Sequence, residues 1–203
     1  MYLVKTPWWL RLLYPSLVWK IATTTKELFL TFDDGPHPEA TPFVLDTLAL
    51  YDAKATFFCI GKNVAQYPEI YKRTIEEGHR AGNHTHNHLN GWNTDAKTYS
   101  HNISEAAVLI KSNLFRPPYG RIKPSQVKAI TPNFKIIMWD VLSGDFDTSL
   151  PGERSFDHVI KHSQPGSILV FHDSDKALKT MKFVLPKVLE HFLKLGYTFN
   201  VLT

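Results

Sequence analysis

An apolar run that ends on two adjacent carboxylates constrains this chain more than any other feature. Leu28–Phe32 is predicted to form a buried strand, Asp33 and Asp34 follow at its end, and Gly35–Pro36 forces a turn immediately afterwards. Neighbouring residues at a strand end point in different directions, so the two carboxylates can hold different roles. One can bind a metal ion while the other accepts a proton.

Strand-like apolar runs alternate with helix-like amphipathic segments along the chain. The predicted strands lie near residues 27–32, 55–60, 79–83, 114–116, 135–140, 167–172 and 197–202. The predicted helices lie near residues 40–51, 63–78, 99–112, 123–130, 155–163 and 178–195. Such alternation predicts an α/β fold with a parallel sheet and right-handed crossovers, and about seven strands favours a small closed barrel in a single domain.

Reactive side chains follow the ends of several of these predicted strands. Asp33 and Asp34 follow the first strand, Arg116 ends the fourth, Asp145 follows the fifth and His172 ends the sixth. Because parallel α/β folds build their sites at the carboxyl ends of the strands, these side chains are expected to share one site.

Three histidines within five residues follow the short strand predicted near 79–83: His84, His86 and His88. In a strand all three would face one side, whereas in a helical turn the first and last align and His86 points away. Two imidazoles with one carboxylate form a common catalytic metal set that leaves a position for water. A set without thiolate suits zinc, and also cobalt, nickel or iron.

Five segments together resemble the polysaccharide deacetylase family, the NodB-homology carbohydrate esterases of family 4. In family order they are Thr31–Pro36, His84–His88, Arg116–Gly120, Trp139–Asp145 and Val170–Asp173. The resemblance implies an irregular (β/α) barrel, usually of seven strands. It also implies a metal-dependent hydrolase that removes N-acetyl groups from amino sugars of a peptidoglycan- or chitin-like glycan, with metal-bound water as the nucleophile.

The same resemblance assigns roles to individual residues. The metal ligands are expected to be Asp34, His84 and His88. Asp33 is expected to be the proton acceptor, held by Arg116, and the backbone N–H of Tyr119 to bind the oxyanion. His172 is expected to protonate the departing amine, with Asp145 orienting it and raising its pKa.

Four further residues are expected to contact the substrate: Pro117, Trp139, Phe146 and Val170. Phe146 stands where Trp is common in the family, and Val170 stands where Leu is usual. The acyl pocket is therefore expected to be roomier than in a relative that carries Leu and Trp.

Composition excludes some functions and leaves the compartment open. The chain has 203 residues and a formal charge of +4, and its basic residues are scattered, so nucleic acid is not an expected partner. The single Cys59 cannot form an intrachain disulfide, and its apolar neighbours predict that it packs in the core.

Residues 1–24 form an aromatic N-terminal segment, and residues 25–203 are expected to form the deacetylase domain. Arg11 and Pro15 interrupt the segment, which lacks a small-residue cleavage site, so it is predicted to be neither a signal peptide nor a membrane span. It either packs on the domain or rests on a membrane or the envelope. The location is thus expected to be cytoplasmic or peripheral to the envelope.

Two alternative functions remain at the level of sequence. One is a deacylase of a lipid-linked amino sugar or of a small non-sugar amide. The other is a carbohydrate-binding domain with an inactive site, against which the intact Asp33, Arg116, Asp145 and His172 argue. The exact glycan, the acyl group, the metal and the oligomeric state are not determined by the sequence.

Overall fold

Parallel strands form the centre of the computed structural model, which describes residues 2–203. The strands are β1 (Glu27–Asp33), β2 (Ala55–Cys59), β3 (Arg80–Asn83), β4 (Leu114–Phe115), β5 (Lys135–Ile136), β6 (Val141–Leu142), β7 (Ile168–His172) and β8 (Thr198–Phe199). Their order is β5-β4-β3-β2-β1-β7-β6, with β8 pairing to the start of β1, and the pairings are parallel. The predicted α/β barrel is confirmed.

Helices cover the outside of this sheet. They are α1 (Trp8–Leu13), α2 (Ala40–Leu50), α3 (Gly61–Gln66), α4 (Pro68–Glu76), α5 (Ala96–Leu109), α6 (Pro124–Ile130), α7 (Gly152–His162) and α8 (Asp175–Lys194). The single helix predicted at 63–78 is wrong, because Pro68 lacks a backbone N–H and starts a new helix instead of continuing the first.

Alternation along β1 explains how a buried strand carries a polar site. Leu28, Leu30 and Phe32 belong to the large core cluster that also contains residues of α2 and α8. Phe29 belongs to a different cluster. Because successive side chains point to opposite faces of a strand, Thr31 and Asp33 lie on the Phe29 face, which is the inside of the barrel.

The N-terminal segment pairs with backbone at both edges of the sheet, next to β5 and in β6. Val18 forms a parallel bridge with Ile137, just after β5, and Lys5 forms an antiparallel bridge with Val141 in β6. The strand predicted at 135–140 is therefore shorter than expected, since part of its backbone pairs with residues 4–18. The proposed division of the chain at residue 24 stays a prediction. Among residues 2–203, no helix has the length and apolar character needed to cross a bilayer.

Candidate active site

Strand register brings two predicted catalytic residues to the same edge of the sheet. Asp33 at the end of β1 is the register partner of His172 at the end of β7, and its partner on the other side is Phe58 in β2. Register partners on parallel neighbours point to the same face. Asp33 and His172 therefore both project inside the barrel at its carboxyl end.

The three predicted metal ligands converge beside this edge. Asp34 Oδ1 lies 3.1 Å from His88 Nε2 and 3.7 Å from His84 Nε2. One ligand atom of each residue lies within 4.8 Å of the others. His86 lies outside this set, because its Nε2 is 3.5 Å from Glu105 Oε1. The structure thus brings together the first and last histidines of the cluster, as the family pattern implies.

Tight turns set the directions of these ligands. Asp34, Thr85 and His88 have φ values of 85°, 64° and 56°, in the left-handed region that non-glycine residues seldom occupy. The Asn83 side chain accepts from the Thr85 N–H at 2.8 Å, and Asn102 in α5 accepts from the N–H groups of residues 86 and 87. Sequence reasoning missed these two asparagines, and Asn102 lies 16 and 15 residues beyond the two N–H groups that it supports.

Protonation states in this cluster suit cation binding. His84 Nδ1 lies 2.8 Å from the Arg116 carbonyl, which accepts its proton and leaves Nε2 facing the cluster. Burial lowers the pKa of His84 to about 4, so the imidazole is neutral at neutral pH. Burial opposes ionisation of Asp34, but the hydrogen bond to His88 and the charges of nearby histidines outweigh it and hold its pKa below the usual range. One carboxylate and two imidazoles fit a divalent transition metal.

A fully buried arginine holds Asp33. Arg116 Nη1 donates to Asp33 Oδ1 at 2.7 Å and to Thr31 Oγ1 at 2.7 Å. Its other nitrogens donate to the carbonyls of Ile137 and Met138, and the guanidinium lies 4.1 Å from the ring centre of Phe58. Burial lowers the pKa of Arg116, and the Asp33 charge opposes that shift. The pair therefore fixes Asp33 Oδ1 and leaves Oδ2 for chemistry.

A second buried carboxylate holds His172. Asp145 Oδ1 lies 2.9 Å from His172 Nδ1, and its Oδ2 accepts from the His172 backbone N–H at 2.8 Å. Ser143 donates to the same carboxylate at 2.8 Å. Burial lowers the pKa of His172, but the charge and hydrogen bond of Asp145 outweigh it and raise the pKa to about 9. His172 Nε2 is thereby left as a proton donor near neutral pH.

The loop after β4 lies beside the ring of His88. The Tyr119 ring is exposed and lies 4.6 Å from the ring of His88, and its backbone has a φ of 60°. Pro117 is buried, so its side chain faces the protein interior. Trp139 is half-buried and covers Gly120, where an added Cβ would overlap the indole ring.

Two aromatic rings extend outward from His172, the first in edge-on contact with it and the second tilted against the first. Phe146 is half-buried and its ring centre lies 4.9 Å from His172, while the ring of Tyr2 lies 5.0 Å from Phe146. The Tyr2 hydroxyl also reaches Asp147 at 3.3 Å. Val170 is buried two residues before His172, on the same face of β7. Tyr2 was missed at the sequence level, because no local pattern connects the N-terminus with residue 146.

Asp173 supports the turn that carries the two aspartates. Its carboxylate accepts from the Gly35 N–H at 3.0 Å and from the Thr41 hydroxyl at 2.5 Å. A Cβ on Gly35 would overlap this carboxylate, so the turn requires glycine. Burial raises the pKa of Asp173 to about 8, against the two donors, which lower it.

Comparison with known proteins accounts for this arrangement. The family model for polysaccharide deacetylases matches residues 20–132, which is more than half of the chain. The chain is 35% identical over 190 residues to a peptidoglycan-N-acetylglucosamine deacetylase of Bacillus cereus, covering 90% of this chain and 89% of that protein. The chain belongs to the polysaccharide deacetylase family. The resemblance inferred from five sequence segments is confirmed.

Other members of the polysaccharide deacetylase family extend the comparison. The chain is 30% identical over 162 residues to a chitooligosaccharide deacetylase of Azorhizobium caulinodans, covering 76% of this chain and 77% of that protein. Among solved structures, the Bc1960 peptidoglycan N-acetylglucosamine deacetylase superposes with a TM-score of 0.88 at 32% identity, covering 97% of this chain and 95% of that chain. The enzyme class expected from sequence, a polysaccharide deacetylase, is the class of this family.

Proposed function

We propose that this chain removes N-acetyl groups from N-acetylated amino sugars of a peptidoglycan- or chitin-like glycan in a metal-dependent reaction. The observation that carries the proposal is the position of the Asp34, His84 and His88 cluster beside a proton acceptor, Asp33, and a proton donor, His172. The names of the relatives from Bacillus cereus and Azorhizobium caulinodans support the substrate class.

The cluster of Asp34, His84 and His88 would hold the metal, with zinc as the first candidate and cobalt, nickel and iron as the others. When bound, such an ion polarises the acetamide carbonyl and lowers the pKa of water. Asp33 accepts the proton of the attacking water at Oδ2, while Arg116 holds Oδ1.

Two further groups complete the proposed reaction. The Tyr119 backbone N–H donates to the oxygen on which negative charge develops. His172 Nε2 gives its proton to the amine as the carbon–nitrogen bond breaks, and Asp145 holds the resulting imidazole in position. The products are acetate and a free amino sugar, and the glycosidic bond stays intact.

Amine release from metal-loaded protein tests this proposal. Soluble chito-oligosaccharides and peptidoglycan fragments should yield acetate and free amine in equal amounts, and chelation should abolish turnover reversibly. Zinc, cobalt, nickel and iron(II) should each be added back to the chelated protein to identify the effective ion. Turnover that survives chelation, or no release from any N-acetylated glycan, would contradict the proposal.

A lipid-linked amino sugar is the second candidate substrate, because the N-terminal helix exposes several large apolar side chains. Faster release from a lipid-linked N-acetylated sugar than from the matching soluble sugar would favour this alternative. The same panel should include a small acetamide without a sugar, which the proposed glycan deacetylase should not turn over efficiently.

A further inference from the structure

Helix α1 presents an exposed apolar surface that the candidate site does not use. Trp8 is 73% exposed and Leu12 is 69% exposed, and they lie on one helix face because they are four residues apart. We call the full set of exposed residues the aromatic patch: Leu3, Trp8, Trp9, Leu12, Leu13 and Tyr14. Exposed apolar residues are normally scattered singly, so this grouping indicates a surface that another molecule covers.

The segment that carries the aromatic patch is fixed to the barrel on its other side. Lys5 and Arg11 both pair with the buried carboxylate of Asp140, the Lys5 pair at 2.7 Å. Leu10 packs on the buried cluster that contains Met138. The exposure of the patch is therefore built into the fold, and docking would not require the segment to become ordered first.

All of the excess positive charge of the chain lies in residues 1–26. The chain has 23 basic and 19 acidic residues, and four basic residues precede the first acidic residue, Glu27: Lys5, Arg11, Lys20 and Lys26. The rest of the chain is therefore balanced in charge. Asp140 offsets one of these positive charges locally. Lys5, Arg11 and Asp140 together leave one net positive charge next to α1. Positive charge next to an apolar patch complements a surface that combines hydrocarbon with negative charge.

We propose that the aromatic patch docks this protein on an anionic phospholipid bilayer. Trp and Tyr side chains favour the boundary between headgroups and acyl chains, and the leucines supply apolar area below it. A glycan-binding surface would surround its aromatic rings with polar side chains, yet residues 2–26 contain no Asp, Asn, Glu or Gln. A second copy of the chain would place two positive segments against each other, since symmetric dimers pair the same surface with itself.

Cosedimentation of the full chain with vesicles tests this proposal. The vesicles contain phosphatidylcholine alone or phosphatidylcholine mixed with phosphatidylglycerol. The variant Trp8→Ser/Leu12→Ser removes the most exposed part of the patch. The matched control is Leu50→Ser/Val108→Ser, which removes side chains that are 83% and 66% exposed on α2 and α5.

The parent protein should sediment with the mixed vesicles and less with phosphatidylcholine alone, and binding should weaken as salt is raised. The patch variant should bind about tenfold more weakly, and the control variant should bind like the parent. Both variants should turn over soluble chito-oligosaccharides at the parental rate if they are folded. Vesicle binding is measured without turnover, so its outcome is independent of the proposed deacetylase activity.

Three results would overturn the proposal. The first is absence of parental binding to mixed vesicles, and the second is equal binding by the patch variant. The third is evidence for a different occupant of the patch. This would be a dimer seen by light scattering, or retention on insoluble chitin or peptidoglycan, if either is lost in Trp8→Ser/Leu12→Ser while vesicle binding is unaffected.

Discussion

The metal-ligand side and the proton-transfer side of the candidate site are built in different ways. Asp34 and His88 lie in turns with φ values of 85° and 56°, so the local backbone sets the direction of each ligand. Asp33 and His172 lie instead at the ends of β1 and β7, in register with each other. Their backbone positions come from regular strand pairing rather than from unusual turns.

Buried charge pairs complete the second side. Arg116 holds Asp33, and Asp145 holds His172, over separations of 83 and 27 residues along the chain. Metal affinity should therefore respond to ligand identity and to turn geometry. Proton transfer should respond to the two charge pairs while the metal stays bound.

The largest effect on metal binding and on turnover is expected from His88→Ala, which tests the metal-ligand side of the comparison. The substitution removes an imidazole nitrogen that lies 3.1 Å from Asp34 Oδ1, so stoichiometric metal binding and turnover should both be abolished. Metal content after dialysis and amine release measure the two effects. His86→Ala is the matched control, because that imidazole faces Glu105 and should leave the metal content unchanged. Full metal content in His88→Ala would show that the ligand set is wrong.

Asp33→Asn should separate the two sides most clearly. The amide cannot accept the proton of water, so kcat should fall by about 10²–10⁴ while the metal content stays at the parental level. Simultaneous loss of metal would break the comparison, because Asp33 would then act as a ligand. A fall in kcat of less than about tenfold would point to another base.

Asp145→Asn should move the pH dependence of kcat with a smaller loss of rate. Burial lowers the pKa of His172 and Asp145 outweighs it to give about 9, so parental activity should fall as pH rises through about 9. Without the Asp145 charge this alkaline limb should move toward neutral pH, and kcat near neutrality should fall about 10–100-fold. An unmoved alkaline limb would mean that another group donates the proton.

The pair of His172 and Asp145 also makes the folding stability depend on pH. Because folding raises the pKa of His172 above its ordinary value of 6.5, the pair stabilises the folded state fully below pH 6.5, and this contribution is lost as pH rises through about 9. The difference in the free energy of unfolding between the parent and Asp145→Asn should therefore shrink between these pH values. Denaturant titrations across this range measure the difference.

Gly35→Ala tests whether turn geometry controls metal affinity. An added Cβ overlaps the Asp173 carboxylate, so unfolding free energy should fall by about 1–3 kcal/mol and the turn that carries Asp34 should shift. Gly196→Ala is the control, since its Cβ has no neighbour within 4 Å and only a φ of +77° opposes it. Weaker metal binding is expected in the first variant alone. Equal metal affinity in both would contradict the role given to the turn.

Acyl selectivity should change least. Val170 stands where Leu is usual in the family, so Val170→Leu should lower kcat/KM for propionylated relative to acetylated glucosamine by a factor that corresponds to about 1–3 kcal/mol. Tyr2→Ala should act in the opposite direction, because it removes the ring that packs on Phe146. Unchanged ratios in both variants would mean that these side chains only fill space.

The sequence predicted the barrel and the family correctly, because both depend on local patterns. The roles given to the site residues stay predictions. Strand-like apolar runs such as Leu28–Phe32 alternate with helix-like segments, which is the pattern of a parallel sheet. Five motifs also occur in family order. The short strands β5 and β6 were less predictable. Two residues carry too little pattern to be distinguished from a loop, and their pairing partners include the distant N-terminal segment.

Supporting residues were the least accessible to sequence reasoning. Asn102 holds the histidine loop from α5, Asp173 holds the Gly35 turn from the residue after β7, and Tyr2 reaches Phe146 from the N-terminus. Each acts through one or two hydrogen bonds or through a ring contact, and no periodicity marks such contacts along the chain. Their roles follow only from side chains that are distant in sequence and adjacent in space.

The sequence by itself therefore determined the strand that ends on Asp33 and Asp34, and the family. Local periodicity and residue chemistry suffice for those conclusions. Only the tertiary structure decided which oxygen of Asp33 is held by Arg116, and that the N-terminal segment is fixed with its apolar side outward. These features depend on strand register and on buried charge pairs between distant residues, which the order of residues along the chain does not specify.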